Sequence, residues 1–484
     1  MREVASTADT PVVAPPRPLI AVRPWRLAIP RIAVDREALL RGLALLALAT
    51  QVGLTIGLAL VVSHRRTSLA PMMNRGGEHL WLTGPLHYIA PVVPEHGWGI
   101  SVLFSSVLAG TIVCYLAVIR LAHLIPRRTG LGAIGLLHAI MLIAPVFILS
   151  DIFNYIDFAR LGLLHGINPY THGAAAARHD PTFPLTTWHH MPTPYGPLFT
   201  VGTYALVPLG KVGAYVALKV LAVAASLGCV WLLWRCAEAR RVDPLRAAMF
   251  MGLNPLLLVY GVGGAHNDFF MLLPVLAATL YVLRGRDTRA GVAAAVAPFL
   301  KVTAAAYAPF LALGAHRRRP AILAGAVVGA ILLIGGVALF GTDWQGLHNQ
   351  ESVVLGPYSI PTEVGGLLGL SPGPTLRTLT NAALAGVLGW LFVRTWRGGD
   401  WVVAAGWAGI ALAVSLFQPM PWYVMWALPF AALARSRALV VGTVALTLAM
   451  FINCTPQQSL ILSHGLHLHG TGPKAGRATR ALLR

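Results

Sequence analysis

An all-α, polytopic membrane fold follows from three observations. The 484-residue chain is 56% hydrophobic and only 11% charged, whereas a soluble domain carries about 25% charged residues. Apolar stretches of roughly bilayer-spanning length recur from residue 43 to residue 454. The basic residues, 37 against 17 acidic, are mostly confined to the short breaks between those stretches. A β-barrel would instead show short segments of alternating polarity. The net charge of +20 therefore carries orientation information and does not mark a nucleic-acid-binding stripe.

Residues 1–41 are Pro- and Arg-rich, with no early apolar core or cleavage site, and read as a disordered basic cytosolic tail. Residues 42–454 form the transmembrane domain. Its about 13 spans are expected at 43–62, 100–122, 131–150, 212–234, 246–263, 269–283, 290–300, 302–315, 321–340, 378–393, 401–417, 423–434 and 438–454. A cytosolic N-terminus puts the arginines near 127, 240, 284–289, 317–319, 394–397 and 435–437 on the inner face, as the positive-inside bias favours. The cell membrane is the implied location, with large extracytoplasmic loops at 63–99, 151–211 and 341–377 and a flexible tail at 455–484.

Two stretches decide this count. If 195–210 crossed the membrane, the arginines of "RCAEARRVDPLR" would move outside, so it is read as a re-entrant or interfacial helix. The segment 290–315 is long enough for one crossing, but basic residues flank both ends. Two short arms meeting near Lys301 fit the charge bias better. The four cysteines lack CxxC spacing and read as buried thiols.

Ionisable groups are scarce enough that their placement matters. Asp151 opens an outer loop directly after an apolar span. It can be an ordinary helix N-terminal acid or a proton acceptor at a cavity mouth. Asp157 has Arg160 at i+3, so a structural ion pair is expected there. In "GGAHNDFFM" (263–271), Asn267 or Asp268 is expected to cap the next helix, and His266 faces either water or a substrate hydroxyl. Lys301 sits alone between apolar arms on the outer side, where a phosphate would be a fitting partner. "FQPMPWYVMW" (417–426) brings Trp422, Tyr423 and Trp426 together; an interfacial aromatic belt is the plain expectation and sugar stacking the alternative. No HExxH spacing and no phosphate-binding glycine loop occurs, so neither a histidine metal site nor cytosolic nucleotide chemistry is expected. A chemistry that suits these groups is sugar transfer from a membrane-bound lipid phosphate: a carboxylate takes the acceptor's proton and a cation stabilises the departing phosphate.

The ordered series "SDIFNYIDFARLGLLHGINPY", "TPYGPLFTV", "GAHNDFFM", "LKVTA" and "QPMPWYVMWALP" resembles the GT-C superfamily of integral-membrane glycosyltransferases. Its likeness is to the actinobacterial polyprenol-phosphate-mannose-dependent α-(1→6)-mannosyltransferases and related family-87 enzymes, over roughly residues 100–454. The resemblance implies a general-base role for Asp151. It also implies substrate contacts for Tyr155, Asn168, Tyr170, Tyr195, His266, Asn267, Asp268, Lys301, Trp422 and Tyr423. It further implies a polyprenyl-phosphate-linked sugar donor, a lipid-anchored glycan acceptor, inversion to an α-mannoside and membrane lipids as surroundings. No cofactor is expected and metal independence is favoured, with a divalent metal as the alternative. Two other classes compete. A transporter or flippase of lipid-linked glycans would show repeated halves, which are not evident. A scaffold subunit would be indifferent to Asp151→Asn.

Overall fold

In the computed structural model the chain is a bundle of α-helices, with no strand among the described residues. Those residues are 35–64, 69, 80–93, 97–147, 151–344, 346 and 358–468. Most of the basic tail, the end of the 131–150 span, parts of 63–99 and the middle of 341–377 lie outside them, as does the chain after 468.

Among the described residues, six helical stretches are long and apolar enough to cross a membrane: Arg36–Val62, Trp98–Arg120, Pro197–Arg240, Arg318–Phe340, Pro374–Trp396 and Arg437–Cys454. Shorter apolar helices fill the space between them, including Asp268–Leu283 and Trp401–Ser415. The helix Arg318–Phe340 turns Leu323, Ile331 and Ile334 outward, as a lipid-facing helix does. This is a multi-pass membrane protein. Four free cysteines are present, Cys229 and Cys236 among them buried.

The breaks occur where the sequence weakens a helix. Asp35 starts the first helix by accepting a bond from the Glu37 N–H. The stretch 195–210 forms only an eight-residue helix, Pro197–Tyr204, and a 3₁₀ turn. At about 1.5 Å per residue that helix rises about 12 Å. It then yields at Gly210 (φ 67°) to the helix Gly210–Arg240. The backbone is thus interrupted where the sequence reading placed a separate short helix, within the 44-residue apolar stretch Pro197–Arg240. Between Asp287 and Gly314 there are likewise two short arms, Asp287–Val296 and Ala308–Gly314, joined by 3₁₀ turns. Lys301 sits extended between those turns. Irregular backbone of this kind is tolerated at membrane depth only when protein surrounds it.

The helices Asp268–Leu283 and Trp401–Ser415 pack against it, and the loop that starts at Asp151 meets it at Gly196. The helix Asp151–Leu163 packs Ile152, Phe153, Tyr155, Ile156 and Phe158 with Tyr195, Phe199 and Tyr215 in an apolar cluster separate from the main core. Phe153 stacks on Tyr215 at 5.6 Å. Lys219, four residues beyond Tyr215 and buried, donates to the carbonyl of Ala144, where the helix Arg127–Ile143 stops. The cation thereby meets the negative end of a helix dipole. Lys219 went unnoticed in the sequence, although a lysine inside a span is rare and commands a partner.

Gly196 is the tightest joint. Its N–H donates to the Leu300 carbonyl at 3.2 Å, and a Cβ there would lie 2.2 Å from the Phe299 carbonyl oxygen. Both neighbours are backbone, so neither can rotate away. Gly196→Ala is expected to cost about 1–3 kcal/mol, read as a lowered Tm of the detergent-purified protein. An unchanged Tm would mean that the two loops do not touch.

Candidate functional site

Four separate stretches converge at one end of the bundle: 151–155, 266–268, Lys301 and 422–426. Their centre is an ion pair. Lys301 Nζ donates to both Asp268 oxygens, at 2.9 and 2.8 Å. The same carboxylate accepts from the indole N–H of Trp422 at 3.1 Å and of Trp426 at 2.8 Å. Asp268 is fully buried and Lys301 nearly so. Both charges are therefore compensated, which such depth requires. The lysine also lies 5.3 Å from the centre of the Tyr423 ring and 5.8 Å from that of Trp426, at cation–π range.

Two expectations change here. Neither Asn267 nor Asp268 caps the helix Asp268–Leu283 with its side chain; Asp268 is instead taken by Lys301 and the indoles, and Asn267 Oδ1 lies 3.5 Å from Lys301 Nζ. Trp422, Tyr423 and Trp426 are all buried and turn inward to the charges, so they do not form a lipid-facing belt. The polar indole edges had partners inside the bundle, and an unpaired carboxylate there would be costlier than an unfilled belt.

Asp151 stands beside this core. It is 9% exposed, and its Oδ2 lies 3.3 Å from His266 Nδ1. The imidazole stacks on Trp422, with centroids 3.5 Å apart and planes 11° from parallel. One turn on from Asp151, the Tyr155 hydroxyl accepts the backbone N–H of Asn267 at 3.2 Å. Burial, with Asp151 and Asp268 nearby, pushes the Tyr155 phenol well above its ordinary range, so it stays a neutral hydroxyl. Within the stretches 151–155 and 266–268, three buried nitrogens have no hydrogen-bond partner among the described residues: His266 Nε2, Asn267 Nδ2 and Asn154 Nδ2. Buried donors and acceptors are rarely left unpaired, and three near one carboxylate suit a site that a polar ligand completes. Asn154 was not foreseen. Its position three residues after Asp151, on the same helical face, was the available signal.

Not every expected residue faces this centre. Asn168 builds the loop: its Oδ1 accepts from the Tyr170 N–H at 2.9 Å and its Nδ2 donates to the Phe340 carbonyl at 2.7 Å. Tyr170 is fully buried, with its hydroxyl donating to the Tyr195 carbonyl at 2.7 Å. Tyr195 itself packs edge-on against Tyr155, with ring centres 4.8 Å apart. These residues support the site from behind, with Tyr195 nearest to it.

The expected Asp157–Arg160 pair is also replaced. Arg160 Nε reaches Asp180 at 2.9 Å, and His165 Nε2 meets the other oxygen of Asp180 at 2.8 Å. Asp157 turns inward and accepts only from Thr182 Oγ1 at 2.9 Å, its second oxygen unpaired. Asp180 was the better partner because it folds its own turn, accepting the Thr182 N–H at 2.9 Å. Burial would raise the Asp180 carboxyl, but bonds from Arg160, His165 and Thr182 hold it well below the usual range. Burial raises the Asp157 carboxyl to about 6, against the Thr182 bond, which lowers it, with the Asp180 charge adding to the rise.

Among the described residues no three His, Cys, Asp or Glu side chains gather into a metal-binding set. The class these features define is a multi-pass integral-membrane protein with a carboxylate–imidazole pair beside a buried ion pair at one end. Comparison with known proteins narrows the class. Residues 77–317 match the family model described as "Alpha-(1->6)-mannopyranosyltransferase, N-terminal domain". A protein of Mycolicibacterium smegmatis named "Probable alpha-(1->6)-mannopyranosyltransferase" is 28% identical, over 81% of this chain and 83% of its own. Alpha-(1->6)-mannopyranosyltransferase A of Mycobacterium tuberculosis is 26% identical, over 68% of this chain and 69% of its own. Alpha-(1->6)-mannopyranosyltransferase B of Corynebacterium glutamicum is 27% identical, over 66% of this chain and 61% of its own. No solved structure matches. These matches support an alpha-(1->6)-mannopyranosyltransferase of the GT-C membrane type. The matched region contains Asp151, the 266–268 turn and Lys301, and ends before Trp422.

Two measurements test this geometry. Asp268→Asn leaves the Lys301 charge buried and unpaired, and is expected to cost about 3–5 kcal/mol. Adding Lys301→Met should recover most of that loss in Tm; a double variant no more stable than the single one would refute the pairing. For Asp157 the native carboxyl keeps its proton between about pH 4 and 6, where the unfolded one, at 3.8, has released it. Stability therefore falls as pH rises through that window. Asp157→Asn should raise Tm by about 1–3 °C at pH 7.5, and the gain should vanish below pH 4.

Proposed function

We propose that the chain transfers mannose from a polyprenyl-phosphate-linked donor to a lipid-anchored glycan acceptor, giving an α-mannoside with inversion. The observation that carries this reading is the placement of Asp151: a largely buried carboxylate, 9% exposed, 3.3 Å from His266 Nδ1, beside three buried nitrogens without partners. A general base must reach solvent-delivered substrate and yet be held in orientation; His266, stacked on Trp422, supplies the orientation. The names of the relatives supply the sugar and the α-linkage. The outer-face arrangement, with a cytosolic N-terminus, rests on the distribution of arginines. A lipid-carried donor suits that face.

The step balances as follows. Asp151 accepts the proton of the acceptor hydroxyl as its oxygen forms the new bond to the anomeric carbon of mannose. The bond from that carbon to the phosphate oxygen breaks on the opposite face, so a β-linked donor yields an α-mannoside. The polyprenyl phosphate leaves carrying the electron pair. Lys301 gives most of its donors to Asp268. Its third N–H faces Asn267 Oδ1, so it serves the leaving phosphate by its field, with Asn267 Nδ2 as a hydrogen-bond donor. Tyr155 orients the 266–268 turn.

The test is transfer of labelled mannose from polyprenyl phosphomannose to a lipid acceptor in membranes containing wild type or Asp151→Asn. Wild type should transfer, and the variant should lose about 10²–10⁴ in rate at unchanged expression and Tm. Equal rates would reduce Asp151 to a helix N-terminal residue. Absence of transfer by wild type would remove the proposed donor.

A further inference from the structure

At the end of the bundle opposite Asp151 lies a second built feature. The helix Gly210–Arg240 has 31 residues, about 46 Å at 1.5 Å per residue. Its Tyr215 end packs against Phe153, beside the site; its Arg240 end therefore lies about one bilayer thickness away. There a cavity of about 300 Å³ opens between the helix Pro244–Gly252 and the segment 431–440. Ala247, Phe250, Ala431 and Val440 give it an apolar floor, and Arg246, Arg435 and Asp243 line it as charged groups.

The nearby carboxylates are committed. Asp243 Oδ1 caps the helix Pro244–Gly252, accepting the Leu245 and Arg246 N–H groups at 2.9 and 3.1 Å. Asp400 pairs with Arg240 at 2.7 Å. Arg241, Arg246 and Arg435 have no ion-pair partner among the described residues. Arg435 is held in place, its Nη2 donating to the carbonyls of Arg240 and Arg241 at 3.2 and 3.5 Å. A guanidinium has five N–H donors in a fixed fork, so donors remain for a ligand. The result is a preformed cation above an apolar floor, at the depth where lipid headgroups lie.

We propose that this cavity binds the phosphodiester headgroup of an anionic phospholipid, with Arg246 and Arg435 on the phosphate and the glycerol and first acyl carbons over Phe250 and Val440. Arginine suits phosphate because its fork matches two oxygens at once. Basic pockets between membrane helices bind anionic headgroups on this principle. A soluble phosphate would use the rim and leave the floor empty, which is why a lipid is the better occupant. The proposal is independent of the transfer reaction. In the orientation proposed above, the lipid belongs to the cytosolic leaflet.

The test is native mass spectrometry of the full-length protein in uncharged detergent, titrated separately with phosphatidylglycerol, phosphatidylcholine and inorganic phosphate. Wild type should retain one phosphatidylglycerol in preference to phosphatidylcholine. Arg246→Gln with Arg435→Gln should weaken that binding roughly thirtyfold, about fivefold for each arginine near the surface. Arg246→Gln alone, which alters an exposed side chain with no partner to lose, should weaken it about fivefold. Ala432 also lines the cavity; Ala432→Phe fills it without touching a charge and should also weaken binding. Equal retention of both lipids, or retention undiminished in Arg246→Gln and Ala432→Phe, would overturn the site. Inorganic phosphate binding as tightly as phosphatidylglycerol would overturn the lipid as its occupant.

Discussion

The buried pair of Asp268 and Lys301 constrains the whole active end of this molecule. Neither charge is tolerable alone at that depth. The lysine stands on a helix-breaking turn between two half-length arms, and the aspartate opens another helix after a tight turn. Satisfying the pair therefore fixes two irregular segments against each other. The two indole N–H groups extend the constraint to a third, since Trp422 and Trp426 can reach Asp268 only if 421–426 winds as a 3₁₀ turn with its aromatic faces inward. Tyr307 closes the arrangement from the Lys301 arm, donating to the Trp426 carbonyl at 2.9 Å.

Asp151 inherits its setting from that core. His266 is fixed on one side by stacking on Trp422, and Trp422 is fixed by Asp268. The imidazole next to Asp151 is thus tied, through one ring and one carboxylate, to Lys301. A carboxylate needed to accept a proton gains from a neighbour that cannot drift, because misplacement by about 1 Å is costly in catalysis. It also separates the proposed base from the ion pair: Asp268 has no lone pair left unspoken for, whereas the partner of Asp151 among the described residues is His266.

The fold class was legible because apolar length is a coarse signal that bilayer thickness imposes. The break at Lys301 and the short helix after Gly196 were legible for a related reason: the arginine bias tells how often the chain can cross. The residues of the site were legible as rarities, a lone lysine and a few carboxylates in an oily chain. Their partners were not. Arg160 has Asp157 one turn away in sequence, yet it takes Asp180, twenty residues on, and nothing local distinguishes the two. The sole carboxylate between 164 and 211 was nonetheless a usable clue. The tryptophans were misplaced because a belt and a buried carboxylate partner share one sequence signature. Lys219 escaped notice because a span reads as uniform until its acceptor, a helix-ending carbonyl, is seen.

The two ends of the bundle answer opposite electrostatic problems by the same rule. At the Asp151 end a few charges lie deep, and each is matched by a partner of opposite sign or by fixed N–H groups, leaving one carboxylate partly open. At the Arg240 end the cations lie shallow, where solvent and lipid phosphate relieve them, so partners within the chain are optional. That difference in depth accounts for the asymmetry of the unpaired groups: neutral nitrogens around Asp151, whole guanidiniums around the cavity at Arg435. The short helix Leu428–Leu433 lies between the 421–426 turn and Arg435, so the tryptophan clamp and the arginine rim are carried by one continuous segment. A ligand that steadies Arg435 acts on the same stretch of chain that holds Trp422 and Trp426 to Asp268.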